Sequence, residues 1–430
     1  MEIEEKKVTE RVLLVGVDLH TGENFEHSME ELESLAIACG KEPVGRVTQA
    51  MEVVNKPFYI GPGKVLEVRD TAQALSADSI IFDNTLSPMQ IRNLQEEIGL
   101  PVEDRTSLIL TIFEERARSR EAILQVEVAK LEYMLPRLVG LHDALSRQGG
   151  ASGSMSNKGA GEKKLELDRR KLEHRLTELK KELKEVAAQR KTQRKKRSES
   201  GIPRVALVGY TNAGKSTLMN ALISFGGKYE DKKVEEKDML FATLDTTVRQ
   251  IMPEGYHTML LSDTVGFISK LPHNLVEAFH STLEEAVEAD ILLQVVDYSD
   301  PHYREQIETT NETLRKLGVE GMPMIYVYNK ADLAPEFEGK MPQVSEHKIV
   351  MSAKNPDCLP ALLTMIEEKL AGRYRECDML VPYQASFLPP YFKEQGALRS
   401  MEYLPEGIRI HVVCPVSDYQ KYREYVISEE

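Results

Sequence analysis

One stretch constrains this chain more than any other: Arg204-Val205-Ala206-Leu207-Val208-Gly209-Tyr210-Thr211-Asn212-Ala213-Gly214-Lys215-Ser216-Thr217-Leu218, an apolar run that stops at a glycine and reopens as a helical pattern. Strand, loop and helix follow in that order. Gly209 and Gly214 admit backbone conformations barred to residues with a side chain, so the amides from Gly209 through Thr217 turn inward and wrap a diphosphate at a helix N-terminus. Lys215 then places its ammonium between the β- and γ-phosphates, and Ser216 offers its hydroxyl to a magnesium ion (Mg2+). An ordinary strand-to-helix turn is the competing explanation. By itself the loop specifies a nucleoside triphosphate and leaves the base open.

Later strand ends close that question. Residues 259–262 form a second apolar strand leading into Asp263-Thr264-Val265-Gly266, which sets a carboxylate beside the metal and a glycine N–H near the γ-phosphate. Residues 291–296 are a third strand, and residues 324–328 a fourth that ends in Asn329-Lys330-Ala331-Asp332. An aspartate that accepts two hydrogen bonds fits the N1–H and exocyclic amine of guanine, whereas adenine offers an acceptor at N1 and no amine at C2. A fifth strand, 349–351, ends in Ser352-Ala353-Lys354, where a backbone N–H is placed to meet the guanine O6. Each motif is weak alone, since charged loop residues are usually solvated surface. Together and in order they predict a GTP and GDP site in a doubly wound α/β domain over 201–371.

Composition bounds the rest. A chain of 430 residues holds two to four domains. Its longest apolar runs are too short to cross a bilayer, and Met1-Glu2-Ile3-Glu4-Glu5 is acidic where a signal peptide is basic, so no integral membrane association is expected. Cys39, Cys358, Cys377 and Cys414 lie far apart without metal spacing, which predicts reduced thiols in a cytoplasmic protein. The net charge of −14 argues at first against a nucleic-acid partner. Its distribution reverses that: residues 162–198 carry fifteen Lys or Arg against seven Asp or Glu, a net +8 that leaves the remainder at −22. One basic arm sits on an acidic body.

Taken in order, residues 1–112 read as a small α/β N-terminal domain after a mobile tail, with strands at 11–19, 52–60 and 79–82 alternating with helices at 28–38, 64–75 and 88–98. Ser28 is a candidate cap there. Gly61-Pro62-Gly63-Lys64 is either a tight turn into a helix or a second phosphate site for a nucleotide such as ATP; the fuller phosphate-loop spacing is absent, which favours the turn. Over 113–200, Leu124, Leu131, Leu138 and Leu145 repeat every seven residues, and Leu172, Leu179 and Val186 do so again, which predicts an antiparallel helical hairpin kinked at Pro136. Its joining loop, 146–161, is glycine- and serine-rich with Arg147 and Lys158 as its charges, and Lys191, Arg194, Lys195, Lys196 and Arg197 end the second helix. A linker and a solvated helix face are one reading; a tip that orders on RNA is the other. The insert 226–238 awaits nucleotide and magnesium to organise it, and Phe241-Ala242-Thr243-Leu244-Asp245-Thr246-Thr247 supplies a threonine to close over the γ-phosphate. Residues 372–430 form a small α+β appendage with strands at 378–382 and 408–415.

The order of these pieces resembles the HflX family of translation-factor-like GTPases over about residues 10–371. The resemblance rests on 209–216, 241–245, Asp263-Thr264-Val265-Gly266-Phe267-Ile268, and Phe82-Asp83-Asn84 with Leu86-Ser87-Pro88 and Gln90. The stretch around 158–166 is similar to the family's glycine-rich signature but departs from it at Ala160 and Lys163-Lys164. The resemblance implies that Thr243 joins Ser216 on magnesium, where the residues alone leave Thr246 and Thr247 open, and that Lys215, Thr243 and Gly266 carry the reaction. It also implies binding to the large ribosomal subunit and its RNA and, in some members, splitting of stalled or idle ribosomes under stress. An RNA-binding assembly or scaffold factor is the alternative. The chain is expected to act as a monomer. Many GTPases have a water-orienting glutamine where this chain has Phe267, so slow hydrolysis alone and stimulation by ribosomes are expected.

Overall fold

The computed structural model describes residues 9–20, 24–148, 155–198, 202–226, 240–241, 244, 247–271, 280–319, 321–337, 339–394 and 397–429. They belong to two compact units: Met1–Val186 with Met239–Phe241 and Ser269–Phe279, and Ala187–Asp238 with Ala242–Ile268 and His280–Glu430.

In the first unit strands and helices alternate: β1 (Arg11–Asp18), α1 (Phe25–Ala38), β2 (Glu42–Ala50), α2 (Pro62–Ala74), β3 (Ser79–Phe82), α3 (Pro88–Ile98), β4 (Val102–Asp104) and α4 (Arg105–Arg116). The sheet is parallel throughout, in the order β2-β1-β3-β4. Its apolar residues, among them Leu13, Val15, Ile80 and Phe82, are buried with Val65, Val68 and Leu94 of the helices. Neighbouring β1 and β3 are connected in opposite directions, which makes their carboxyl ends a topological switch point. Asn24 rather than Ser28 caps α1, accepting from the His27 amide at 3.2 Å. Ser87 and Gln90 form a reciprocal capping box on α3.

The second strand is not where the sequence placed it. Residues 52–60 fold back on themselves: the Asn55 side chain accepts from the Phe58 amide at 3.1 Å, and Asn55 and Tyr59 exchange backbone bonds at 3.1 and 2.7 Å. The strand is Glu42–Ala50, at the edge of the sheet, where Pro43 and a half-exposed face are tolerated.

Helices α5 (Arg120–Gln148) and α6 (Met155–Ser198) follow. Leu124, Val128 and Leu131 bury against Leu179, flanked by Leu172, Leu176, Leu183 and Val186, a part of the heptad seam of the sequence; the side chains of Leu138 and Leu145 lie outside the described residues. Lys180 pairs with Glu132 at 2.7 Å and Arg175 with Glu127 at 3.0 Å, so cations near the seam are matched across it. Helix α6 takes in residues 155–161, which the sequence assigned to the loop; 149–154 lie outside the described residues, as do the side chains of Lys158, Lys191 and 194–197.

In the second unit a seven-stranded sheet runs β10-β11-β9-β8-β5-β7-β6. Five of its strands are those expected: β5 (Arg204–Gly209), β7 (Met259–Asp263), β8 (Ile291–Asp297), β9 (Met324–Asn329) and β11 (Lys348–Val350), all parallel. Antiparallel β6 (Thr247–Ile251) and β10 (Gln343–Ser345) extend the edges. Around the sheet lie α7 (Lys215–Phe225), α8 (His280–Val287), α9 (Tyr303–Lys316) and α10 (Leu359–Leu370). Leu218 and Leu222 of α7 and Leu362 and Ile366 of α10 are fully buried against Val205, Leu207, Leu293 and Val327. At its C-terminal end β12 (Tyr374–Val381), β13 (Leu398–Leu404), β14 (Gly407–Pro415) and β15 (Val426–Glu429) make an antiparallel sheet ordered β13-β14-β12-β15 with α11 (Leu388–Glu394) and α12 (Val416–Lys421), an α+β arrangement. Among the described residues no helix is long and apolar enough to cross a membrane, and all four cysteines are free thiols.

Candidate functional site

Strand β5 delivers Gly209 to the carboxyl edge of its sheet, and α7 leaves that edge at Lys215. Gly214 precedes the helix at φ 92°, a conformation that strains any side chain. Tyr210, Thr211 and Ala213 are buried, and Asn212 is exposed. Lys215, only 6% exposed, donates to the carbonyls of Gly209 (3.0 Å) and Tyr210 (2.7 Å), so its ammonium sits inside the loop. Burial pushes its pKa down to about 8, opposed by Asp263, whose charge favours the ammonium.

Strand β7 brings Asp263 to the same edge, fully buried, where the Ser216 hydroxyl donates to its Oδ2 at 2.7 Å. Thr217 is half-buried on the same helical turn. Thr264 Oγ1 donates to the Leu207 carbonyl at 2.8 Å, which pins the turn to β5. Beyond it, the Thr211 amide donates to Phe267 O at 2.8 Å and the Phe267 amide to Gly209 O at 3.1 Å. This parallel bridge fastens the phosphate loop to the Asp-Thr-Val-Gly turn. A Cβ on Gly266 would lie 2.8 Å from Thr211 Cα, 2.9 Å from its Cγ2 and 3.1 Å from Lys215 Nζ, so only glycine fits between them. Val265 and Phe267 are buried.

The other end of the site is tied in by Asn329. Its Nδ2 donates to Ala213 O at 3.0 Å and its Oδ1 accepts from the Ala353 amide at 2.8 Å, so one side chain spans the phosphate loop and the Ser352-Ala353-Lys354 loop. The Lys354 amide donates to Ser352 Oγ at 3.3 Å. Lys330, in a left-handed conformation at φ 61°, pairs with Asp297 at 2.7 Å. Ala331 is buried at the root of the turn, and Asp332 is exposed beyond it. Asp297 escaped the sequence reading; its signal is that it ends β8 directly opposite Asn329 in the parallel register. Phe241 and Leu244 are each 2% exposed, while Ala242, Thr243 and Asp245 lie outside the described residues.

The donor set fits a hard divalent cation. The Ser216 hydroxyl and the Asp263 carboxylate are oxygen donors brought together at a helix N-terminus, and among the described residues no sulfur or imidazole hydrogen-bonds to either. The Gly61-Pro62-Gly63-Lys64 turn is built differently: the Gly61 amide donates to Gln49 Oε1 at 3.0 Å and Lys64 to Glu67 Oε1 at 2.9 Å.

Residues 26–114 match the family described as GTP-binding GTPase N-terminal, 116–197 the GTP-binding GTPase Middle Region, and 204–330 the 50S ribosome-binding GTPase. GTPase HflX of Caldanaerobacter subterraneus subsp. tengcongensis is 42% identical over 421 residues, 97% of this chain and 94% of that protein. GTPase HflX of Akkermansia muciniphila is 43% identical over 440 residues, 99% of each. A crystal structure of an SsGBP and GDP complex aligns with 83% of this chain and 98% of its own at 25% identity and a TM-score of 0.45. With curated relatives matched over nearly its whole length, the chain belongs to the HflX family of GTPases.

Proposed function

We propose that this GTPase docks on the large (50S) ribosomal subunit and uses its nucleotide cycle to split or rescue stalled and idle ribosomes under stress. The observation that carries this reading is the coincidence of two features in one chain. Its nucleotide domain matches a family described as 50S ribosome-binding GTPase, and it follows directly on a helical hairpin whose last turns, 190–197, are the most basic run of an acidic protein. Four segments divide the work: an N-terminal domain (1–112), the hairpin (113–200), the GTPase domain (201–371) and a C-terminal appendage (372–430). Cationic side chains on the hairpin contact RNA phosphates, an attraction that salt weakens.

In the nucleotide site, the amides from Gly209 to Thr217 cradle the phosphates and Lys215 neutralises the β- and γ-oxygens. Gly266 donates its amide to the γ-phosphate, Asp332 accepts from the guanine N1–H and amine, and Ser352-Ala353-Lys354 meets O6. Asn329 keeps the two ends of the pocket in register through its bonds to Ala213 and Ala353. Ser216 and Thr243 would hold Mg2+, with Asp263 behind Ser216. Magnesium, when bound, supplies charge neutralisation on the β- and γ-phosphates. Phe267 cannot orient the attacking water, so hydrolysis is slow until a partner supplies the missing polar group or orders the flanking segments. A second nucleotide such as ATP would have to be held on the N-terminal domain, with the Gly61–Lys64 turn at its phosphates; equilibrium dialysis with ATP on a Lys215→Ala background tests for it.

The functional reading is tested by sedimenting whole ribosomes through sucrose with the protein and either GDP or a non-hydrolysable GTP analogue. Subunit separation that requires the triphosphate form supports it. Binding without change in the ratio of whole to split ribosomes would favour an assembly or scaffold factor instead.

A further inference from the structure

Two adjacent residues of the N-terminal domain join elements that the nucleotide cycle needs to connect. Asp104 ends β4 and is fully buried. Its Oδ1 accepts from the Tyr133 hydroxyl at 2.6 Å and the Ser107 amide at 2.9 Å, and its Oδ2 from Arg137 Nη2 at 3.0 Å and the Leu86 amide at 3.1 Å. Tyr133 and Arg137 belong to α5, the first helix of the hairpin, and the guanidinium stacks 3.2 Å over the phenol ring. The hairpin is therefore gripped at a buried carboxylate, with Leu86 of the Leu86-Ser87-Pro88 motif supplying one of the four donors.

The next residue faces the other way. Arg105, 1% exposed, opens α4 and donates to Asp83 Oδ1 at 2.7 Å, just past the end of β3, and to Glu31 of α1, both buried. Into this cluster come Ser269 and Lys270. Arg105 Nη2 donates to Ser269 Oγ at 3.2 Å, Ser269 donates to Glu31, and Lys270 Nζ donates to Asp83 Oδ2 at 2.6 Å. Lys270 is held at φ 56°, which a residue with a side chain adopts only when its surroundings impose it. Ser269 follows Asp263-Thr264-Val265-Gly266-Phe267-Ile268 directly in the chain, and Phe267 and Ile268 are each 2% exposed. The γ-phosphate segment thus ends in a fixed anchor. Helix α4 also carries Phe113, whose ring meets Phe241 edge-on at 4.7 Å, so the segment leading into Thr243 leans on the same helix.

We propose that Asp104 and Arg105 form a relay, in which Tyr133 and Arg137 sense the set of the hairpin and Arg105, through Ser269 and Lys270, positions Gly266 for GTP hydrolysis. These are positioning residues and touch no substrate. The relay rests on the functional reading above, because it is the large subunit, seated on the hairpin, that would drive it. A displacement of α5 pulls on Asp104, and a buried carboxylate with four donors transmits that pull rather than absorbing it. Since Arg105 shares a peptide bond with Asp104, the fork it offers to Asp83, Glu31 and Ser269 turns with it.

The test measures GTP turnover by the full-length protein with and without purified 50S subunits, for the wild type, Arg137→Ala, Ser269→Ala and the double variant, with co-sedimentation and thermal melting recorded for each. Each single variant is expected to keep basal turnover within about twofold, to co-sediment with 50S subunits, and to lose about tenfold of the 50S stimulation. The double variant should lose no more than either alone, which damage at two independent places would not produce. Tyr133→Phe, which removes one hydroxyl from α5, serves if Arg137→Ala melts early. Full stimulation in the variants, or losses that multiply in the double, overturns the relay while leaving the functional reading intact. A wild type that neither binds 50S subunits nor responds to them overturns both.

Discussion

Replacing Gly266 by Ala tests the chemistry of the site most sharply, because a single methyl group enters a gap whose walls are known. The new Cβ would stand 2.8 Å from Thr211 Cα and 2.9 Å from Thr211 Cγ2, where carbon atoms in contact need about 3.5–4.0 Å. Thr211 Cα is backbone of the phosphate loop and is fixed by the bond from its amide to Phe267 O, so it cannot step aside cheaply. Lys215 Nζ, at 3.1 Å, is the softer wall. The turn must therefore retreat by roughly half an ångström or more, and forcing a methyl into packing of this kind costs about 1–3 kcal/mol. If that strain falls on the arrangement that offers the Gly266 amide to the γ-phosphate, hydrolysis slows by roughly 5- to 150-fold, at 1.36 kcal/mol per factor of ten. GDP has no γ-phosphate and should bind within about threefold of the wild type on the same reasoning. Single-turnover phosphate release, beside titration with a fluorescent GDP, separates the two. A variant that hydrolyses GTP at the wild-type rate would refute the placement of Gly266, and equal losses for GDP and GTP would show the methyl acting on the phosphate loop instead.

Other expectations follow from the same contacts. Lys215→Ala should weaken GTP binding by at least about thirtyfold, since a buried cation facing a polyanion is lost; calorimetry showing normal affinity would remove the cradle assignment. Asn329→Ala leaves the Ala213 carbonyl and Ala353 amide without their shared partner in a buried place, a loss of about 2–4 kcal/mol that should appear as weaker binding of both GTP and GDP. In the C-terminal sheet, the hydrogen bonds that the His411 ring donates to Asp378 and then to Glu376 raise its pKa above the ordinary value. The stability they confer is complete below the unfolded value of about 6.5 and disappears as pH rises through the folded one. Melts near about pH 6 and about pH 8 should therefore converge in His411→Asn relative to the wild type, and an unchanged pH dependence would contradict the assignment.

Much of the candidate site's framework is legible in the sequence because its signals are local. A run such as Arg204-Val205-Ala206-Leu207-Val208 ending in Gly209, or Met324–Asn329 ending in Lys330, announces both the strand and the loop that leaves it. Four elements were harder. Strand β2 carries Pro43 and Gly45 and lies on an edge, so its composition resembles a turn. Strand β4 has three residues, β6 is half-buried, and β10 is exposed along its length, so none shows an apolar period. The glycines at 159 and 161 suggest loop, yet they lie within α6, whose heptads further on bury against α5. Asn329 is found by its motif but not its task, since a bond to Ala213 spans 116 residues. The grip of Arg105 and Asp83 on Ser269 and Lys270, across 164 and 187 residues, leaves no local trace. Only the Phe82-Asp83-Asn84 motif marked the place.

GTP turnover measured with and without 50S subunits tests most directly whether the GTP pocket and the RNA-probing hairpin work as one device. Turnover should be slow for the protein alone and rise steeply when 50S subunits are added, with ATP unable to substitute. Equal rates in the two conditions would contradict it.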